Sequence, residues 1–170
     1  MVMDVSVVVP SYRSEGTIAQ CLQSILSQIT ADRHEVIVCD SSPGDEVQNI
    51  VAGYPVQFVK IAKKTPPGIA RNEGAKRAQG ELLVFVDADM VLEPGTLEEI
   101  WKCYQQGHEV FSIALELGKG RQSFSSYIEQ YLFFCEQQSG RETGERTYLP
   151  STVFIIKREI FSSFGGFKSY

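Results

Sequence analysis

Asp87 and Asp89 stand two residues apart with only the small Ala88 between them, directly after the apolar run 82–86. Carboxylates at that spacing on an extended backbone project to the same side, so both can face one point. A few hard oxygen ligands of this kind hold a divalent cation whose coordination shell is completed by substrate phosphates. A third carboxylate, Asp40, closes another apolar run, 35–39, and is followed by the turn-forming Ser41-Ser42-Pro43-Gly44. Each of these groups also has a plainer reading. The aspartate pair could be solvated turn carboxylates, Asp40 a turn or helix-capping residue, and Arg71 a solvated helix charge. Lys63 and Lys64 read as a surface loop.

These groups have to be positioned by the elements around them. Residues 5–10 (VSVVVP) form a β-branched run ended by a proline, which cannot continue a central ladder. A polar loop, 11–16, leads into Ile18, Cys21, Leu22, Ile25 and Leu26, whose spacing is that of a helix face. Thr17 with Gln20 could close a capping box there, and Ser14 competes as N-cap. A second strand over 35–39, a short helix that Asp45 can cap, a third strand over 57–61 and a helix over 69–78 follow. That last helix carries Ala70, Gly74, Ala75 and Ala78, and so little bulk lets it lie close to a neighbouring backbone or leave room for a ligand at its N-terminus. The run 82–86, apolar throughout, reads as a strand buried on both faces. A helix over 94–106, a half-exposed strand over 110–117, a helix around 127–135, a polar loop over 136–146, a strand over 153–156 and a helical turn over 158–164 complete the chain.

Alternating strands and helices over the first hundred residues predict an α/β domain, a parallel sheet built of right-handed crossovers with helices on both faces. Ligands in such sheets collect at the carboxyl ends of the strands, where the 11–16 loop, Asp40 and the Asp87/Asp89 pair all fall. Neither GxGxxG nor GxxxxGK[ST] is present, which removes the defining chemistry of dinucleotide oxidoreductases and P-loop enzymes. A net charge of -5 argues against a nucleic-acid partner. The four cysteines are widely spaced, with no CxxC pair and only two histidines in the chain, so reduced core thiols are expected rather than a zinc site. No apolar segment approaches the roughly 20 residues that span a bilayer, which predicts a chain without a membrane segment, located in the cytoplasm.

Four motifs resemble those of glycosyltransferase family 2, a GT-A-type family. They are VSVVVPSYRSEGTIAQCLQSILSQ, EVIVCDSSPGDE, PPGIARNEGAKRAQGELLVFVDADM and STVFIIKREIFSSFGGF, in order along nearly the whole chain. The resemblance implies a Rossmann-like three-layer fold with a mostly parallel central sheet. It also implies inverting transfer of a sugar from a nucleotide-diphosphate donor to a glycan, lipid or protein acceptor, with Mn2+ or Mg2+ as cofactor. Pro10, Ser11, Tyr12 and Glu15, together with Asp40, are then expected around the base and ribose, with Asp40 accepting a hydrogen bond from the nucleotide. Arg71 is expected against the nucleotide. Asp89 is the expected metal ligand, and Asp87 contacts the ribose or the metal's shell.

The sequence departs from the family pattern in two places. Ser41 stands where many members carry a second acidic residue. No residue matches the acidic group that follows the GGF turn and deprotonates the acceptor. The chain is therefore expected to be one GT-A domain, incomplete at its C-terminal side, with a donor half over about 1–115 and part of an acceptor half over about 116–170. In a longer protein, the inner face of a membrane is a compatible location. Two other readings stand beside this one. A non-catalytic nucleotide-binding fragment would bind without turnover. The residues Asp87 to Val91 also resemble the nucleophile motif of haloacid-dehalogenase-type phosphatases, although those proteins carry it on their first strand.

Overall fold

The computed structural model describes residues 4–28, 34–113 and 153–168. Among them the chain runs β1 (Val5–Ser11), α1 (Ile18–Leu26), β2 (His34–Asp40), α2 (Glu46–Val51), β3 (Gln57–Lys60), α3 (Pro67–Ala75) and β4 (Leu82–Val86). It continues through α4 (Thr96–Gln105), β5 (Val110–Ser112), β6 (Val153–Lys157) and α5 (Arg158–Ser163). The expected elements within these residues are present, most with ends shifted by one or two positions. The helix expected around 127–135, the polar loop over 136–146 and the last residues of the strand expected over 110–117 lie outside the described residues.

The six strands order as β3-β2-β1-β4-β6-β5. β1 to β4 are mutually parallel where they pair, and β6 is antiparallel to both of its neighbours. Strand alternation divides the core between the two faces. Val7, Val9, Val36, Val38, Leu82, Val84 and Val86 pack with α1, α2 and α4, while Val8, Ile37, Cys39, Leu83 and Phe85 pack with α3 and α5. The result is three layers.

After β3 the chain crosses to the far side of β1, so the sheet has its switch point between the carboxyl ends of β1 and β4. The two strands stay in register only through Val8↔Phe85, while β1 follows β2 as far as Ser11↔Asp40. This explains how Pro10, expected to end the strand, lies within it. Ser11 O accepts from Ser41 N on the β2 side, which turns the Pro10 backbone toward the side where β4 has already diverged. No ladder bond is lost there.

α3 lies against β1 because Gly74 has no side chain. A Cβ at that position would come within 2.3 Å of Val8 Cγ1 and 3.2 Å of Cys39 Sγ. The two helix caps expected from Thr17 and Asp45 do not form, since neither side chain makes a cap hydrogen bond. The Ser14 carbonyl instead accepts from Thr17 N and Ile18 N.

A second contact fixes the segment after β4. Gln28, 3% exposed at the end of α1, accepts from Leu97 N at 3.3 Å and donates to the carbonyls of Ser24 and Glu93 at 2.9 and 3.1 Å. Ser24 Oγ accepts from Leu92 N at 3.0 Å. Together they hold the irregular stretch between β4 and α4. Gln28→Ala leaves the Leu97 donor and the Glu93 acceptor without these partners, and it should destabilise the fold by about 2 kcal/mol, read as a lowered midpoint in urea unfolding.

Candidate functional site

At the switch point the described residues enclose a cavity of about 460 Å³, within the range that takes a small ligand. The end of β1 and the loop after it supply Pro10, Ser11, Tyr12, Arg13 and Ser14. Ser41 comes from the loop after β2, Thr65 from the loop before α3, Pro67, Ala70 and Arg71 from α3 itself, and Asp87, Ala88 and Asp89 from the segment after β4. Of the residues singled out from the sequence, Pro10, Ser11, Tyr12, Arg71, Asp87 and Asp89 therefore meet at one cavity.

Asp40 and Glu15 do not line it. Glu15 is exposed. Asp40 is fully buried, and its carboxylate is already occupied. Oδ1 accepts from Ser42 Oγ at 2.5 Å and Ser11 Oγ at 3.0 Å, while Oδ2 accepts from Lys60 Nζ at 3.1 Å. The Asp40 side chain has no exposed surface, and it faces the loops rather than the cavity where the resemblance implies a nucleotide contact. Asp40 instead ties together the loops that follow β1 and β2. Arg13, at a left-handed φ of 52°, donates its N–H to Ser42 Oγ at 2.8 Å, so the bond that joins the loops also holds a backbone conformation a side chain disfavours. Lys60 was not singled out from the sequence. Its signal lies in the register, where Asp40↔Lys60 is a cross-strand pair of opposite charge at the ends of β2 and β3.

The acidic pair differs from its expected geometry. β4 ends at Val86, and residues 87–90 form a turn in which Met90 N donates to Asp87 O at 3.0 Å. Strand alternation therefore does not orient these side chains. The turn gives them different surroundings instead. Arg71, 5% exposed on α3, donates Nη2–H to Asp87 Oδ1 at 2.5 Å. The Asp89 carboxylate is exposed, and no hydrogen bond or ion pair among the described residues engages it. Beneath the turn, Cys21 Sγ donates to Asp87 O at 3.6 Å. Its thiol is pushed up to about 12 by burial, with Asp89 and Asp87 adding to the shift. Cys21 and Cys39 are buried free thiols, as expected, Cys103 is free but only half-buried, and Cys135 lies outside the described residues.

Burial raises the Asp87 carboxyl above its ordinary value, Arg71 opposes the rise and Asp89 adds to it. Because the folded-state value lies above the unfolded one, the protonated form contributes stability at low pH. That contribution is lost as pH rises through the folded-state value. Arg71→Met removes the one opposing group, so the Asp87 pKa should rise further and the loss should move to higher pH. Carboxyl 13C NMR titration reads the shift directly.

At the mouth, Tyr12 is 37% exposed, with Arg13 Cζ 5.6 Å and Lys64 Nζ 5.0 Å from its ring centroid. The cavity thus combines an aromatic face, cationic groups and an acidic turn.

A mostly parallel, three-layer sheet with an acidic turn at its switch point and an antiparallel strand beyond it defines a GT-A-type architecture. The solved mannosyltransferase PcManGT from Pyrobaculum calidifontis, in complex with GDP-Man and Mn2+, superposes with a TM-score of 0.76 at 22% identity, covering 96% of this chain and 47% of that one. The S. aureus TarS fragment 1-349 in complex with UDP-GlcNAc superposes with a TM-score of 0.73 at 24% identity, covering 96% and 48%. At these identities the likeness establishes the fold.

The profile described as Glycosyl transferase family 2 matches residues 6–165, and the chain belongs to that family. Among curated relatives, the uncharacterized glycosyltransferase YfnE of Bacillus subtilis is 25% identical over 147 residues, which is 84% of this chain and 37% of that protein. Poly(ribitol-phosphate) beta-N-acetylglucosaminyltransferase TarS of Staphylococcus aureus is 32% identical over 126 residues, 70% of this chain and 22% of that protein. The chain thus spans well under half the length of these relatives. Among the described residues no helix is long and apolar enough to cross a membrane.

Proposed function

We propose that this chain provides the donor side of a metal-dependent, inverting glycosyltransferase that takes its sugar from a nucleoside-diphosphate donor. The observation that carries the reading is the unequal acidic pair: Asp87 held by Arg71, and Asp89 left exposed in the same cavity. Donors of this class are supported by the UDP-GlcNAc bound to TarS and the GDP-Man and Mn2+ bound to PcManGT. Residues 1 to about 115 serve as the donor half, and the acceptor is a glycan, lipid or protein.

The residues fit a divalent cation of the magnesium or manganese type. No cluster of three or more acidic, histidine or cysteine side chains capable of holding a metal occurs among the described residues. The protein therefore offers one or two carboxylates, and phosphate and water oxygens complete the shell, which suits these cations. Asp89 is the direct ligand, and Asp87 orients the shell from its bond with Arg71. When bound, such a cation neutralises charge that develops on the departing diphosphate.

The chain's own residues do the remaining work. Tyr12, Pro10 and Ser11 lie against the base and ribose, and Asp40 keeps Ser11 in place from behind. Arg71 fixes the Asp87 carboxylate and adds positive charge beside the diphosphate. The phosphatase alternative needs Asp87 as a free nucleophile on a first strand, whereas here it follows the fourth strand and is engaged by Arg71.

An assay of sugar-nucleotide cleavage tests the assignment. With Mn2+, incubation with UDP-GlcNAc or GDP-mannose should release the nucleoside diphosphate slowly, and EDTA should stop the release. Binding without release gives a nucleotide-binding module. Metal-dependent phosphate release from an aryl phosphate, with no action on sugar nucleotides, contradicts the assignment.

A further inference from the structure

The turn that follows α5 packs against α3, the helix that carries Arg71. Gly165 and Gly166 both adopt left-handed φ values, 74° and 78°. Two such glycines give the turn little conformational preference of its own. What locks it is a side chain 95 residues earlier: Asn72 accepts from Phe167 N at 2.9 Å and donates from Nδ2 to Phe167 O at 2.7 Å. This two-point grip on one residue's backbone needs close approach. A Cβ on Gly166 would lie 2.5 Å from Asn72 Oδ1, and a Cβ on Gly68 would lie 3.0 Å from Phe167 Cβ.

The grip has a consequence one residue away on α3. The Phe167 ring lies edge-on against Phe85, Phe154 and Phe161, with centroids 5.4, 6.1 and 5.5 Å away. The Arg71 guanidinium sits over it, 5.6 Å from the centroid, within the range of a cation–π contact. Arg71 in turn donates to Asp87. A continuous set of contacts runs from Asn72 through the Phe167 backbone and ring to Arg71, and on to the carboxylate beside Asp89.

We propose that Asn72 is a positioning residue: by clamping Phe167 it holds an aromatic floor under Arg71 and so sets the direction in which Arg71 presents Asp87 to a bound metal–nucleoside diphosphate. This rests on the function proposed above, and it couples the Gly165-Gly166-Phe167 turn to the donor cavity.

Calorimetric titration with UDP or GDP in Mn2+ tests the role in a double-mutant cycle. Asn72→Ala should weaken binding roughly tenfold in the wild-type background and by less than about twofold in an Arg71→Met background, because the residue acts through Arg71. Equal losses in both backgrounds would show that Asn72 only stabilises the turn, and they would overturn the proposal. If Asn72→Ala does not fold by circular dichroism, Phe167→Leu and Phe167→Tyr carry the same test. Tyrosine keeps the aromatic face and should retain wild-type affinity, whereas leucine keeps bulk but should lose about as much as Asn72→Ala. Leucine binding as tightly as wild type overturns the role of the ring. Absence of metal-dependent binding in the wild type overturns the proposed function and this role together, whereas intact wild-type binding with unaffected variants overturns this role alone.

Discussion

Asp89→Ala should lower the affinity of the chain for a manganese-bound nucleoside diphosphate by at least about a hundredfold, while its unfolding midpoint stays at the wild-type value. The size follows from the role. Losing partners that merely orient a metal's ligands costs roughly 10- to 100-fold, and losing a direct ligand costs more. The neutral effect on stability follows from the surroundings, because the Asp89 carboxylate is exposed and no described residue relies on it. Surface changes of that kind stay within about 0.5 kcal/mol. Asp87→Ala should behave differently, since it removes an acceptor from an Arg71 side chain that is 6% exposed. Stability and affinity should then fall together. Calorimetry beside thermal unfolding separates the two variants. Equal, metal-independent binding by Asp89→Ala and wild type would remove Asp89 from the site.

Asp40→Ala should be the most damaging substitution for the fold among the acidic residues named here, destabilising it by about 3 kcal/mol in urea unfolding. Removing one partner of a buried charged network typically costs about 3–5 kcal/mol. The low end applies because Lys60 is 31% exposed at its side chain and can turn to water, where it also keeps contacts to Gly44 O and Asp45. The Ser42 hydroxyl, on a residue 4% exposed, has less recourse, whereas Ser11 keeps its bond with Ser14 Oγ at 2.6 Å. Asp40→Asn retains an acceptor and should cost less. If Asp40→Ala kept wild-type stability and lost only nucleotide affinity, the carboxylate would be acting on the ligand rather than between the loops.

Most of the fold could be read from local pattern because most of the parallel strands are apolar runs closed by polar residues, and most of the helices carry one apolar face. The acidic residues after β4 and the 11–16 loop were readable for the same reason, since they sit where such strands end, whereas Arg71, on α3, was singled out only by the family resemblance. What escaped is set by contacts distant in sequence. The burial of Asp40 depends on Ser11 and on Lys60, which reach it only once β1, β2 and β3 lie side by side. Strand periodicity was carried too far at Asp87, because nothing in the composition of residues 87–90 announces where the strand gives way to a turn. Pro10 reads as a strand terminator until the divergence of β4 leaves its side of β1 without a ladder. The Asn72 clamp has no local signature at all, since both groups it binds belong to Phe167, 95 residues later in the chain.

The metal-dependent nucleotide cavity is the central claim, and titration calorimetry of the unmodified chain tests it most directly. UDP or GDP should bind at one site in the presence of Mn2+, and the heat should vanish when EDTA replaces the metal. Equal binding with and without metal, or no binding of either nucleotide in Mn2+, would contradict it.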